Sequence, residues 1–394
     1  MSSVAQSSQQ LHRPTTRLAG SQCTNALVLS GGGARAAYQA GVLRYVGEQF
    51  PEAAFPVLTG VSAGSINVAH LANHPGTFRD STDELVECWA ALCANDLFRP
   101  KSTLRVLREI LGFSATAGDY ALVDPSPLRA YLCEHLDAPG GRLLGIQKNV
   151  QANRLQAVAI TTSNYTTRQT VTWVQGEQMQ HWARPNRVGR SALLTLDHVM
   201  ASAALPFLFP AVQLGAHWYG DGGIRLLDPL APAIHLGADR LFVISTRYRR
   251  SRSEAQEPSC TGYPPLAQIA GMLTSVLFLD VLEHDAAVLQ RVNTLVRKLP
   301  EEEPTSLRPL DVLVIRPSED LGKMAHAYEV PFGGAAGRLA QLMGARQTRS
   351  ADWMSMMLFT PAYAQRLMDL GYDDARQQHQ RIAAFLQMEP AVPK

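Results

Sequence analysis

The sequence predicts an α/β protein: a central, mostly parallel sheet flanked by helices on both faces, extended by a helical C-terminal region. Three observations lead there. Strand-like apolar runs alternate with helix-like runs through the first two thirds of the chain. Several of the strands, such as Ala26–Leu29 and Leu241–Ile244, are continuously apolar, as expected where helices cover both sheet faces. Finally, 46% of the 394 residues are hydrophobic and only 18% are charged, which is enough apolar material for a large core.

The first strand, Ala26–Ser30, runs into Gly31-Gly32-Gly33 and then a helix. Small or apolar residues recur along it at Ala37, Tyr38, Gly41, Val42, Tyr45 and Val46, which is helical spacing. Three glycines leave backbone N–H groups uncovered, so the loop can cradle an anion, either a phosphate or the oxyanion of a tetrahedral intermediate. Arg35 adds a fixed charge at the start of the helix. The same residues fit the dinucleotide pattern G-x-G-x-x-A, but that reading wants an acidic residue about 20 positions on to hold a ribose. The second strand ends instead in a serine turn.

That second strand is Phe55–Thr59, followed by Gly60-Val61-Ser62-Ala63-Gly64 and a helix-like run from Ile66 to Ala72. A buried strand, a sharp turn and a helix make the setting of a nucleophile elbow. Gly60 and Gly64 flank the serine because the turn is tight and neighbouring backbone must approach closely. Ser62 would project over the helix N-terminus, where free N–H groups and positive potential favour an oxyanion. Residues 73–137 lack clear strands and look helical at Leu85–Leu97 and Leu104–Leu111, so they read as an insertion that borders or covers the site.

Further strands are expected at Leu155–Thr162, Gln169–Val174, Val212–Tyr219, Leu241–Thr246 and Val312–Ile315. At the end of one of them lies Gly220-Asp221-Gly222-Gly223, where the carboxylate of Asp221 sits uncrowded on a tight turn; an ordinary Asp-Gly turn fits as well. A hydrolytic serine needs a base within hydrogen-bond reach. In the common strand–elbow hydrolases an acid and then a histidine follow the serine, an order that leaves His235 and His284 as the histidines to test. Beyond Pro317 the chain reads as helical, with Thr360-Pro361 a good N-cap and first-turn pair.

Composition excludes other classes. The formal net charge is +2, and no zinc-finger spacing, basic aromatic repeat or RNA-binding signature occurs, so no nucleic-acid partner is expected. The five cysteines are odd in number and scattered, which suggests a reducing compartment and neither a disulfide frame nor a metal site. Residues 1–24 are rich in Ser, Gln and Thr and read as a disordered tail rather than a signal peptide. No uncharged apolar run of about 18 residues exists, so the expected location is cytoplasmic, with peripheral membrane contact allowed. Leu266–Leu282 comes nearest to such a run and reads first as a core helix. Arg247, Arg249, Arg250 and Arg252 follow a strand's C-terminal end and read as a solvated basic loop, with head-group binding the alternative.

Taken in order, the glycine loop 31–36, the 60–64 elbow and Asp221-Gly222-Gly223 resemble the patatin-like phospholipases. Ala201-Ser202-Ala203-Ala204-Leu205-Pro206 with Phe209-Pro210, and Pro229–Ile234 running into Gly237–Arg240, are similar too. The resemblance covers about Asn25 to Thr246; from Asp311 onward the chain looks, more weakly, like the C-terminal part of some bacterial members. It implies a three-layer catalytic domain over residues 25–320 and a helical extension over 321–394. It also implies a Ser–Asp dyad without a catalytic histidine or cofactor: Ser62 as nucleophile, Asp221 as base, the Gly31, Gly32 and Gly33 loop with Arg35 at the oxyanion, and Gly60, Gly64, Gly222 and Gly223 shaping the turns. Phospholipid or lysophospholipid esters would be the substrates. Alternatives are an esterase or acyltransferase on soluble esters, or a silent lipid- or nucleotide-binding module. One departure is Ala36, where the family commonly has glycine; tighter packing is the expected result. Head-group preference and oligomeric state are not legible.

Overall fold

The computed structural model describes residues 23–101, 121–177, 182–256, 263–264, 281–299, 307–328 and 352–387, with isolated helical positions at 269 and 272. Residues 1–22 of the expected disordered tail, the expected helix Leu104–Leu111 and most of Leu266–Leu282 lie outside them, whereas Thr24, expected in that tail, is fixed by hydrogen bonds to Asp239. Strands β1 (Asn25–Leu29), β2 (Val57–Val61), β3 (Arg99–Pro100), β4 (Val123–Asp124), β5 (Ala157–Asn164), β6 (Thr170–Gly176), β7 (Ala183–Arg184), β8 (Arg187–Ser191), β9 (Val212–Leu214), β10 (His217–Asp221), β11 (Arg240–Ile244) and β12 (Asp311–Ile315) are present. The helices are α1 (Ala37–Gln49), α2 (Ala63–Asn73), α3 (Phe78–Ala91), α4 (Ala94–Leu97), α5 (Ser126–His135), α6 (Leu144–Gln151), α7 (Leu196–Ser202), α8 (Ala231–His235), α9 (Arg252–Gln256), α10 (Val281–Val296), α11 (Leu321–Ala325), α12 (Asp352–Met357), α13 (Pro361–Gln377) and α14 (His379–Leu386).

The main sheet runs β12-β11-β1-β2-β5-β6-β8-β7, with β10 on β5 and β9 on β10. From β12 to β5 every neighbour is parallel. Antiparallel pairing enters at β5–β6 and at both β10 contacts. Alternation along each strand divides the core. Leu27 and Leu29 face one large cluster beneath α1, α2 and α13, while Ala26 and Val28 face a smaller one with Leu230, Ala233 of α8 and Ala286 of α10. The architecture is therefore a sheet between two helical layers, the expected three-layer α/β fold.

Four differences from expectation have plain physical causes. Val212–Tyr219 is not one strand but the hairpin β9–β10, bent at Gly215 with φ 63°. Strand β8, Arg187–Ser191, is largely polar because it lies toward the sheet edge, and so carries no apolar signal. The two-residue strands β3 and β4 pair antiparallel inside the insertion, too short to leave a periodic trace. Strand β2 ends at Val61, so the first half of the glycine-framed turn is strand and the bend falls on Ser62 itself.

Candidate active site

Strand β5 acts as a ruler for the site. On one of its edges β2 ends with Val61 opposite Thr161. On the same edge β10 arrives from the opposite direction and ends with Asp221 opposite Thr162. The two strands abut end to end, and the next residue after Val61 is Ser62. Register alone thus joins residues 159 positions apart: Ser62 Oγ donates to Asp221 Oδ2 at 2.6 Å.

Both groups are out of water, Asp221 fully and Ser62 to within 3%. The other carboxylate oxygen of Asp221 accepts from the Gly223 N–H at 2.8 Å. Burial pushes the Asp221 carboxyl up to about 7, against the opposing pull of the Ser62 and Gly223 hydrogen bonds. A Cβ on Gly222 would stand 2.1 Å from Thr161 O, so the turn after the aspartate has no room for a side chain.

Ser62 has φ 54° and ψ −133°, a conformation that costs a serine on the order of 1–3 kcal/mol. The surroundings hold it there. Its N–H donates to Ser202 Oγ at 3.0 Å, and Ser202 in turn donates to Thr161 O at 2.7 Å. Its carbonyl accepts from Ser65 Oγ at 2.6 Å as α2 begins. Gly60 and Gly64 permit the close crossing: a Cβ on Gly64 would lie 2.5 Å from both Leu29 O and Ser30 O. Ser202 stands in a stretch quoted above for its resemblance, but nothing in spacing or polarity marks it as the anchor of the bend.

The glycine loop leans on this turn. A Cβ on Gly31 would approach Ser62 Cβ to 2.9 Å, and Thr246 Oγ1 fixes the loop by donating to Gly31 O at 2.6 Å. Gly33 takes φ 57°, and a Cβ there would strike Met356 O at 2.1 Å. The amides of Gly31, Gly32 and Gly33 donate to no acceptor among the described residues. Arg35 is 2% exposed, and its guanidinium turns to the C-terminal region, bonding Ser355 Oγ and Asp352 Oδ1.

Ser62 and Gly33 open into a cavity whose walls are almost wholly apolar. The inserted helices α3 and α5 supply Leu85, Trp89, Leu128 and Leu132, the segment after α7 supplies Leu205 and Phe209, and α12 supplies Met356 and Met357. A lining of this kind suits a hydrocarbon chain.

The histidines stand apart from the serine. His235 stacks on Trp182 with ring centroids 4.8 Å apart, packed with the α8 side of the sheet. His284 is exposed on α10. Two histidines that sequence reasoning did not raise, His70 and His135, line the cavity, but they bond Ser81 O and Tyr131 O. Burial lowers His70 to about 4, so it is neutral.

A sequence model described as patatin-like phospholipase matches residues 27–234, more than half of the chain. The chain belongs to the patatin-like phospholipase family. The matched segment holds the glycine loop, the Ser62 bend, the inserted helices and Asp221, and stops short of β11, β12 and the C-terminal helices of this family member. Among solved structures, similarity reaches VipD from Legionella pneumophila at 13% identity, covering 93% of this chain and 67% of that one with a TM-score of 0.37. Human GIVD cytosolic phospholipase A2 is similar at 10% identity, covering 93% of this chain and 60% of that one with a TM-score of 0.48. The chain thus spans about three fifths of the human protein's length. No curated protein matches. Among the described residues, no helix is long and apolar enough to cross a membrane.

Proposed function

We propose that this protein is a serine acyl hydrolase that cleaves fatty-acyl esters of phospholipids or lysophospholipids. The observation that carries the reading is the 2.6 Å bond to the buried Asp221 carboxylate from Ser62 Oγ, a serine that lines an apolar cavity. In the first half-reaction Ser62 Oγ attacks the ester carbonyl carbon and its proton passes to Asp221. The tetrahedral oxyanion is held by the free amides of the glycine loop, Gly32 and Gly33 foremost. The C–O bond to the alcohol breaks, and Asp221 returns the proton to the departing oxygen. Water then repeats the sequence on the acyl-serine, with Asp221 again accepting the proton, and the fatty acid leaves. We assign Arg35 to holding the loop rather than the oxyanion, because its bonds run to Asp352 and Ser355.

The apolar lining favours long acyl chains over small soluble esters, and the 60–64 and 220–223 glycines serve to let the two turns meet. Incubating the purified protein with phospholipid vesicles and profiling the lipids tests the reading. Free fatty acid and lysolipid should appear, and a fluorophosphonate probe should label the protein. Ser62→Ala should abolish both, and Asp221→Asn should cut turnover by about a thousandfold or more. His235→Ala and His284→Ala should stay within about twofold of wild type. Turnover that survives Ser62→Ala, or a dead histidine variant with an intact fold, overturns the proposal.

A further inference from the structure

The helix α12 touches the two halves of the site at once. On one side Arg35, buried just behind the glycine loop, donates from Nε and Nη2 to Ser355 Oγ and from Nη2 to Asp352 Oδ1, at 2.6–2.8 Å. Ser355 relays back to Asp352 O at 2.7 Å, which closes a small network around the guanidinium. A buried guanidinium in such a network is strongly held, since losing a partner leaves an uncompensated charge. No side chain separates loop from helix: the Met356 carbonyl occupies the place where Gly33 would carry a Cβ. On its other side the same short helix presents Met356 and Met357 to the acyl cavity. A helix of six residues is too short to set its own position and takes it from its neighbours. Its neighbours here are α11 and the core around Met354, the glycine loop, and whatever fills the cavity.

We propose that α12 couples occupancy of the acyl cavity to the geometry of the glycine loop, with Arg35, Asp352 and Ser355 as positioning residues. A long acyl chain packs against Met356 and Met357 and seats α12. The seated helix, through the Arg35 network and the Met356 carbonyl, holds the Gly32 and Gly33 amides where the oxyanion develops. Binding energy from a part of the substrate far from the reacting bond then appears in kcat rather than in KM. A short acyl group leaves the helix less constrained and gains little. The inference rests on the serine-hydrolase reading above and extends it to a region outside the family-matched segment.

The test compares kcat and KM for acetyl and dodecanoyl esters of one phenol. In the wild type the dodecanoyl-over-acetyl ratio of kcat should stand well above one. Ser355→Ala and Asp352→Asn should lower that ratio about tenfold, in the range expected when oxyanion donors are loosened, with the ratio of KM values shifting less than about twofold. Met357→Ala leaves the Arg35 bonds in place and should lower the kcat ratio as well, so it carries the test if either network variant fails to fold. Arg35→Lys keeps one donor and should fall between wild type and Ser355→Ala. A wild-type ratio near one, or a ratio preserved in all these variants, overturns the coupling. Fluorophosphonate labelling separates the two levels of failure: labelling at Ser62 with an unchanged ratio sinks the coupling alone, whereas no labelling at Ser62 sinks the hydrolase reading beneath it.

Discussion

Asp221 carries the heaviest electrostatic load of any residue in the site. From its ordinary value near 4 an aspartate base would lose activity only in acid, well below the range of a histidine. Burial moves it to about 7, so the carboxylate form that the proposed base requires fills in around neutrality. We therefore expect kcat/KM to rise with pH through a midpoint near 7 and then level off, a profile that imitates a histidine although none is bonded to Ser62. A midpoint near 4 in a pH–rate series would contradict this. The same shift has a stability consequence. The folded state holds the Asp221 proton more tightly than the unfolded chain, so its contribution is favourable below about 4 and is lost as pH rises to about 7. Asp221→Asn removes the buried charge, and its melting temperature should exceed that of the wild type by more at pH 8 than at pH 4. In unfolding free energy the pH-dependent part is at most about 4 kcal/mol; equal melting shifts at both pH values would count against it. At this scale Ser62 and Asp221 were legible because glycines frame both turns. Ser202 and Thr246 were not, since a hydroxyl that anchors a backbone atom leaves no pattern in its neighbours.

Apolar strands announced themselves in the sequence, whereas the polar strand β8 and the tight β9–β10 hairpin did not. Strands β1, β2, β5, β6, β11 and β12 fall within about two residues of their expected places, because continuous apolar runs are hard to read otherwise. Strand β8 is missed because its residues are polar, and the β9–β10 hairpin is merged because only a two-residue turn separates its strands. The contact between α1 and α13 is also hidden. Its tightness comes from backbone meeting backbone: a Cβ on Gly41 would lie 1.9 Å from Met368 O, and one on Gly371 would lie 2.2 Å from Tyr38 O. The spacing of α1 marks Gly41 as a small position on a buried face, but nothing in the sequence identifies α13 as its partner. Gly41→Ala should cost about 2–3 kcal/mol, the upper part of the range for overpacking, because the obstacle is main chain that cannot rotate away. Urea midpoints read this directly; a change under about 0.5 kcal/mol would mean the helices part easily.

Across the whole molecule, the C-terminal third is bound into the fold at several points. Tyr38 of α1 donates to Asp374 of α13 at 3.0 Å, Arg35 reaches α12, and Arg240 of β11 donates to Phe385 O of α14 at 2.7 Å. The α/β class and the helical tail were both legible from alternation and composition. The tail's place against the glycine loop was not, because long-range packing depends on shapes that a linear pattern does not carry. One outcome of the strand order concerns how the polypeptide can be divided. The family-matched segment ends at residue 234, yet β1 pairs along its whole length with β11, which begins at Arg240. A fragment cut at the family boundary would strip β1 of one neighbour and bare a row of unpaired amides and carbonyls on an apolar strand, an adhesive margin that invites fibrillar self-association. The recognisable part of this chain thus leans on the segment that follows it to keep that margin covered.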